Sequence, residues 1–267
     1  PLMKHQTTEE NHALSWWKEL FYIAGFYFVY SQIRNQFGSN GLFAATSSTA
    51  ANNAELVIKF ERALGLYFEE TVQATFINFT WFMWASNVFY GSLHFIVTIG
   101  AGIYLYCKFP FRFRRYRSML GATTAIALTG FALFPLMPPR LLSAEAPYGA
   151  NLIGYKFVDS LSEFGGLWSF DSGTMQAISN QWAAMPSLHL AWAAWCVYAL
   201  HPILRRKISR SFLLLYPLLT LFTIVVTGNH YWIDGIAGLV ALALGAIIGN
   251  WLNGYWGRRR LMTSLKL

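Results

Sequence analysis

The stretch "GNHYWIDGIAGLVALALGAIIGNW", Gly228 to Trp251, sets a histidine and an aspartate against a long apolar run. His230 and Asp234 are four residues apart, so a helix opening here carries both side chains on one face. From Tyr231 to Trp251 the only charged residue is Asp234. A run of about 20 apolar residues is long enough to cross a bilayer as a helix. An ionisable pair at the mouth of such a run is expensive unless it has a task.

The rest of the chain agrees with a membrane setting. Of 267 residues, 55% are hydrophobic and only 12% are charged. A soluble domain carries about a quarter charged residues. The apolar runs are too long and continuous for the alternating strands of a β-barrel. The expected fold is all-α: a polytopic membrane bundle of six transmembrane helices. Its spans are read at Trp16–Ile33, Phe79–Tyr106, Met119–Met137, Ser187–Leu204, Phe212–Thr227 and Tyr231–Trp251. The net charge of +8 is gathered in short clusters between these runs, which is how orientation is encoded; nucleic acid is not an expected partner.

The segments Lys108–Arg117, Arg205–Arg210 and Arg258–Arg260 fall on one side if the spans alternate, and the positive-inside rule makes that side cytoplasmic. Both termini are then cytoplasmic. The polar segment 1–15 is not expected to be a cleavable signal. Cys107 and Cys196 read as free thiols. The outward side receives a segment at about 52–73 and a loop at about 138–186. In the first, Leu56, Phe60, Ala63, Leu64 and Tyr67 recur at helical spacing. That predicts an amphipathic helix at the membrane interface, with Glu61, Arg62, Glu69 and Glu70 on a solvated face. The long loop is a candidate active-site element. One domain, 1–267, is expected.

Three outward span ends carry polar groups: "FPLMPPR" ending at Arg140, "AAMPSLHLAW" with Ser187 and His189, and the opening stretch with His230 and Asp234. Two histidines, an aspartate and an arginine at one depth form a site hypothesis. Taken alone, His230 and Asp234 would equally serve to join helix ends, and Arg140 would equally snorkel to headgroups.

In order along the chain, "PSLH" followed by H-x-x-x-D resembles the type 2 phosphatidic acid phosphatase (PAP2) superfamily. The fuller "MPSLHLAW" and "GNHYWIDGIAG" resemble the branch containing inositol phosphorylceramide and sphingomyelin synthases. So do Asn87, Tyr90 and His94 in N-x-x-Y-x-x-x-H, "FPLMPPRLL" and "GYKFVDSL".

The resemblance implies a membrane phosphotransferase or lipid phosphate phosphatase working through a phosphohistidine at the extracytoplasmic face. Its substrate would be a phospholipid or polyprenyl phosphate, with a hydroxyl acceptor when the headgroup is transferred. Transfer is slightly favoured over hydrolysis. His230 would be the nucleophile, Asp234 its orienting carboxylate, and His189 the acid and then the base. Arg140 and Ser187 would hold phosphate oxygens, with Asn229 and Tyr231 flanking the nucleophile as further contacts. No metal or cofactor is expected. The wider superfamily has an arginine where this chain has Ile224, and a fuller cation set in its first motif. Arg34 and Lys156 are topological candidates to complete the clamp. His94 lies roughly 20 Å below the outer start of its span. It reads first as a buried structural histidine and second as pocket lining. The rival readings are a non-enzymatic lipid-binding or transport protein on the same scaffold, and a vanadate-type haloperoxidase. The complete set of His189, His230 and Asp234 weighs against the first. The spans and depleted cations weigh against the second.

Overall fold

The structure, a computed structural model, describes residues 15–37, 45–145, 148–167 and 180–264, with side chains left undescribed at 34–37 and 256–264. The described residues form helices α1 (Trp16–Phe37), α2 (Ser47–Ala63), α3 (Glu69–Phe76), α4 (Thr80–Val88), α5 (His94–Lys108) and α6 (Pro110–Leu133). A π-helical turn, Phe89–Leu93, joins α4 to α5. Beyond α6 come α7 (Ser160–Phe164), α8 (Leu188–Leu200), α9 (Lys207–Val226) and α10 (Trp232–Ser264). Among the described residues there is no strand, only an isolated bridge between Leu136 and Ala183.

Among the described residues, three helical stretches are long and apolar enough to cross a membrane: Thr80–Lys108, Lys207–Val226 and Trp232–Tyr255. Helix α8 is apolar but shorter. Large apolar side chains stand exposed along these helices, including Ile96, Ile99 and Ile103 on α5, Leu214 and Leu218 on α9, and Val240, Leu244 and Ile247 on α10. Outward rows of this kind suit a lipid surround and make this a membrane protein.

Two expected boundaries move. The basic segment after the second span is not a loop. Phe109, with non-helical φ −141 and ψ 63, breaks α5, and Pro110 at once opens α6, so Arg112, Arg114, Arg115 and Arg117 ride on the first turns of that helix. Proline suits a first helical position because its missing N–H has no partner there anyway. The third span also stops early. Helix α6 ends at Leu133; Leu136 N–H then donates to Trp182 O at 2.8 Å and Met137 N–H to Ala50 O at 3.2 Å. The chain therefore reaches Arg140 as an extended segment and a short 3-10 turn, Pro139–Leu141.

Helix α10 packs along α6 through glycines. A Cβ on Gly249 would stand 2.7 Å from Met119 N, so only glycine admits this approach of backbones. An Arg117–Glu19 ion pair fastens α1 to α6. A deep core of Leu105, Met119, Trp195 and Cys196 fills the interior between α5, α6 and α8.

A second apolar cluster lies under α2, and here the sequence reading is overturned. Helix α2 is capped by Thr46, whose hydroxyl accepts from Thr49 N–H at 3.1 Å. It buries Ala50, Ala54, Val57, Ile58 and Glu61 against Leu136, Met137, Trp182 and Tyr231. Leu56, Phe60 and Leu64, the predicted apolar face of an interfacial helix, are exposed. Glu61 and Glu69, predicted to be solvated, are fully buried. Small alanines let the helix approach closely, and shape rather than size of side chain selects the inward face. The predicted single interfacial helix is two helices, α2 and α3, joined by a loop that reaches the start of α10.

Candidate active site

The turn between α9 and α10 shapes the site. Gly228 takes φ +68, and a Cβ there would meet Gln73 Nε2 at 2.8 Å and Arg140 Cβ at 3.3 Å. Both the left-handed backbone and the crowding require glycine. The turn releases Gly228 O to accept Arg140 N–H at 2.8 Å. It leaves His230 just before α10, 3% exposed, with its Nδ1–H donating to Asp234 Oδ2 at 3.2 Å. Asp234, wholly buried, also accepts Tyr231 N–H at 3.0 Å, satisfying an open donor of the helix start. The i, i+4 spacing read from sequence thus produces a direct pair.

Arg140 comes 89 residues earlier than Asn229 yet its Nε–H donates to Asn229 Oδ1 at 3.0 Å. Its Nη1–H donates to Asp159 Oδ2 at 2.7 Å and its Nη2–H to Gln181 Oε1 at 2.9 Å. A guanidinium has five N–H donors, so two remain for a ligand. Asp159 also caps α7, accepting Leu161 N–H at 3.2 Å. The capped segment is stitched to the bundle by Asn87, whose amide donates to Ser160 O and Gly165 O, both at 2.7 Å. Gln73 adds a two-point bond to the Val158 backbone, donating at 3.0 Å and accepting at 2.8 Å.

Arg140, Asn229 and His230 line an open pocket of about 70 Å³, together with Tyr90, Asn180, Gln181 and others. Beside it Tyr90, His94, His189, Thr223 and Ile224 pack with two neighbours around a gap too narrow for a water. Tyr90 borders both. Its ring stacks on His189 with centroids 4.2 Å apart, and His189 stands 5.4 Å from the His230 ring. The π turn sets this up: His94 Nδ1–H donates to Tyr90 O at 2.9 Å, and the His94 ring lies 4.2 Å from His189. One extra residue in a helical turn re-aims the side chains on either side of it, which is why such turns recur at functional sites.

The sequence matches a protein-family model described as the PAP2 superfamily, over residues 55–248. The chain belongs to the PAP2 superfamily. That membership points to phosphatase or phosphotransferase chemistry on lipid phosphates. Searches of curated proteins and of solved structures returned no match.

In this PAP2 chain the predicted residues divide. His230, Asp234, Arg140 and Asn229 converge on the pocket or its wall. His189 and His94 pack together beside Tyr90, with His94 hydrogen-bonded to Tyr90 O. Ser187 does not line the pocket. Its hydroxyl is buried without a partner, and its N–H donates to Asp234 O at 2.8 Å, tying the start of α8 to α10. A Cβ on Gly238 would sit 2.3 Å from Ser187 O, so that contact needs glycine.

Tyr231 is also corrected. Its ring is buried in the cluster under α2, and its hydroxyl donates to Met137 O at 3.2 Å. His230 and Tyr231 both precede α10 in non-helical backbone, and there the two side chains part, one to the pocket and one to the cluster. Lys156 is exposed and absent from the cavity lining; its N–H donates to Glu70. The Arg34 side chain lies outside the described residues. Asp159, Asn180 and Gln181 were not singled out from sequence. "GYKFVDSL" contained Asp159, and that motif was the available signal; Gln181 had none.

Proposed function

We propose that this chain is a membrane lipid phosphotransferase or lipid phosphate phosphatase, working through a phosphohistidine at the extracytoplasmic face of a six-span bundle. Its substrate is a phospholipid or polyprenyl phosphate. The observation that carries the reading is the buried His230–Asp234 pair beside the Arg140 cavity. With Nδ1–H engaged by Asp234, Nε2 of His230 holds the free lone pair. Nε2 attacks phosphorus, the P–O bond to the leaving group breaks as the P–N bond forms, and His189 delivers a proton to the leaving oxygen. Asp234 balances the positive phosphoimidazole. A hydroxyl then gives its proton to His189 and attacks phosphorus; the P–N bond breaks and His230 is restored. The two remaining N–H groups of Arg140 take charge that builds on the phosphoryl oxygens.

Water as acceptor gives hydrolysis, and a lipid or polyol hydroxyl gives headgroup transfer. The likeness of "MPSLHLAW" and "GNHYWIDGIAG" to the synthase branch favours transfer. The scheme needs no metal.

Purified chain and its His230→Ala form, in detergent, are offered labelled phospholipids and polyprenyl phosphates with and without an alcohol acceptor. The variant is expected to be slower by about 10³-fold or more, and chelator is expected to leave the parent rate unchanged. Equal turnover by both forms would remove His230 from the mechanism.

A further inference from the structure

Two buried carboxyls lie outside the reacting groups and are used by none of the steps above. Glu69 Oε1 accepts the backbone N–H of Trp232 at 3.2 Å, and Oε2 accepts Phe68 N–H at 3.0 Å. Trp232 is the first residue of α10, two before Asp234. The loop between α2 and α3 grips the same residue twice more: Trp232 Nε1–H donates to Leu66 O at 2.9 Å, and the Phe68 ring stacks on the indole at 6.3 Å and 16°. Glu61 sits behind Glu69, and its oxygens rest near the Glu69 carboxyl and the Ile233 backbone without reaching hydrogen-bond geometry. Among the described residues no cation pairs with either glutamate.

A helix start leaves backbone N–H groups without partners and carries partial positive charge. Here two consecutive donors are met by carboxylates from different elements: Tyr231 N–H by Asp234, and Trp232 N–H by Glu69. The outer helices therefore do not merely cover the cluster below them. They complete the N-terminus of the helix that holds the His230–Asp234 pair.

We propose that Glu69, with Glu61 packed behind it, is a positioning residue for the reaction centre: it fixes the first turn of α10 and, through it, the Asp234–His230 hydrogen bond. The inference rests on the function proposed above for His230. The pair is suited to the task because burial, then the neighbouring Glu69 and Asp234, push the Glu61 carboxyl up to about 9. At neutral pH the pair therefore does not set two negative charges side by side. Glu69 touches no reacting atom; it acts through α10.

The test compares Glu69→Gln, Glu69→Leu and Glu69→Asp in the full chain. The readouts are phosphate release from dioctanoyl phosphatidic acid and the ¹H–¹⁵N signal of the His230 Nδ1–H in histidine-labelled protein, assigned by its loss in His230→Ala. Glutamine keeps an oxygen for Trp232 N–H and is expected to retain both rate and signal. Leucine removes it; kcat is expected to fall roughly tenfold or more with KM little changed, because small misplacements of reacting groups cost that much. If the leucine form does not fold, aspartate, one methylene shorter, keeps the charge but withdraws the oxygen, and is expected to lower kcat severalfold and weaken the signal. Parental kcat and an unaltered His230 proton in Glu69→Asp would overturn the proposal. The spectroscopic arm does not depend on turnover, so it still decides the positioning role if His230 proves not to be the nucleophile.

Discussion

Arg140 shows what a single residue can and cannot disclose. Its place at the end of an apolar segment marked it as a cation near the membrane surface. Its three partners, Asn229, Asp159 and Gln181, come from three other parts of the chain and hold the guanidinium in one plane. Lysine has a single ammonium and cannot reach three separate acceptors in that geometry. Arg140→Lys is therefore expected to lower kcat/KM at least about tenfold and to cost about 1–3 kcal/mol of stability by leaving buried acceptors unmet. Steady-state rates on dioctanoyl phosphatidic acid and thermal unfolding measure both; a lysine form with parental kcat/KM would sink the role given to the fork. Tyr231 gives the opposite lesson. Adjacent to the proposed nucleophile in sequence, it is buried in the cluster under α2 and does not line the pocket.

At the scale of elements, α2 and α3 carry the main surprise. Helical periodicity located α2 and an apolar row that is exposed, Leu56, Phe60 and Leu64, but placed Glu61 in water, where the structure buries it. Pattern reading sends charge to water. Here alanines and a carboxyl go inward, and leucine and phenylalanine go out. The buried Glu61 makes this measurable. Its folded-state pKa is raised, so between about 4.5 and about 9 the native chain holds a proton that the unfolded chain has released. The stability it contributes is complete below the lower value and is lost as pH rises through the upper one. Thermal unfolding of the parent is thus expected to weaken across that window relative to Glu61→Gln, which does not titrate. Parallel pH profiles for the two forms would show that Glu61 is ionised in the fold. The π turn is a second element that periodicity passes over: an apolar run looks the same with or without one wider turn, yet that turn brings Tyr90 and His94 together on His189.

For the whole molecule, the proposed orientation sets the loop containing Gly154 outside and the basic link before α9 inside. Gly154 is exposed with open space around its Cα, and Lys207 is exposed at the start of α9. In a background lacking Cys107 and Cys196, a membrane-impermeant maleimide applied to intact cells is expected to label Gly154→Cys and spare Lys207→Cys. The reverse pattern would turn the proposed site towards the cytoplasm. By itself the sequence determined the helical membrane class, the order of the motifs and the His230–Asp234 pair. These depend on composition, apolar run length and i, i+4 spacing, all local quantities. Only the tertiary structure decided that Arg140 is held by Asp159 and Gln181, that Tyr90 stacks on His189, that Tyr231 and Ser187 serve the scaffold, and that Glu69 caps α10. Those contacts join residues far apart in the chain, and they exist only where close packing of the helices brings unmet donors against buried acceptors.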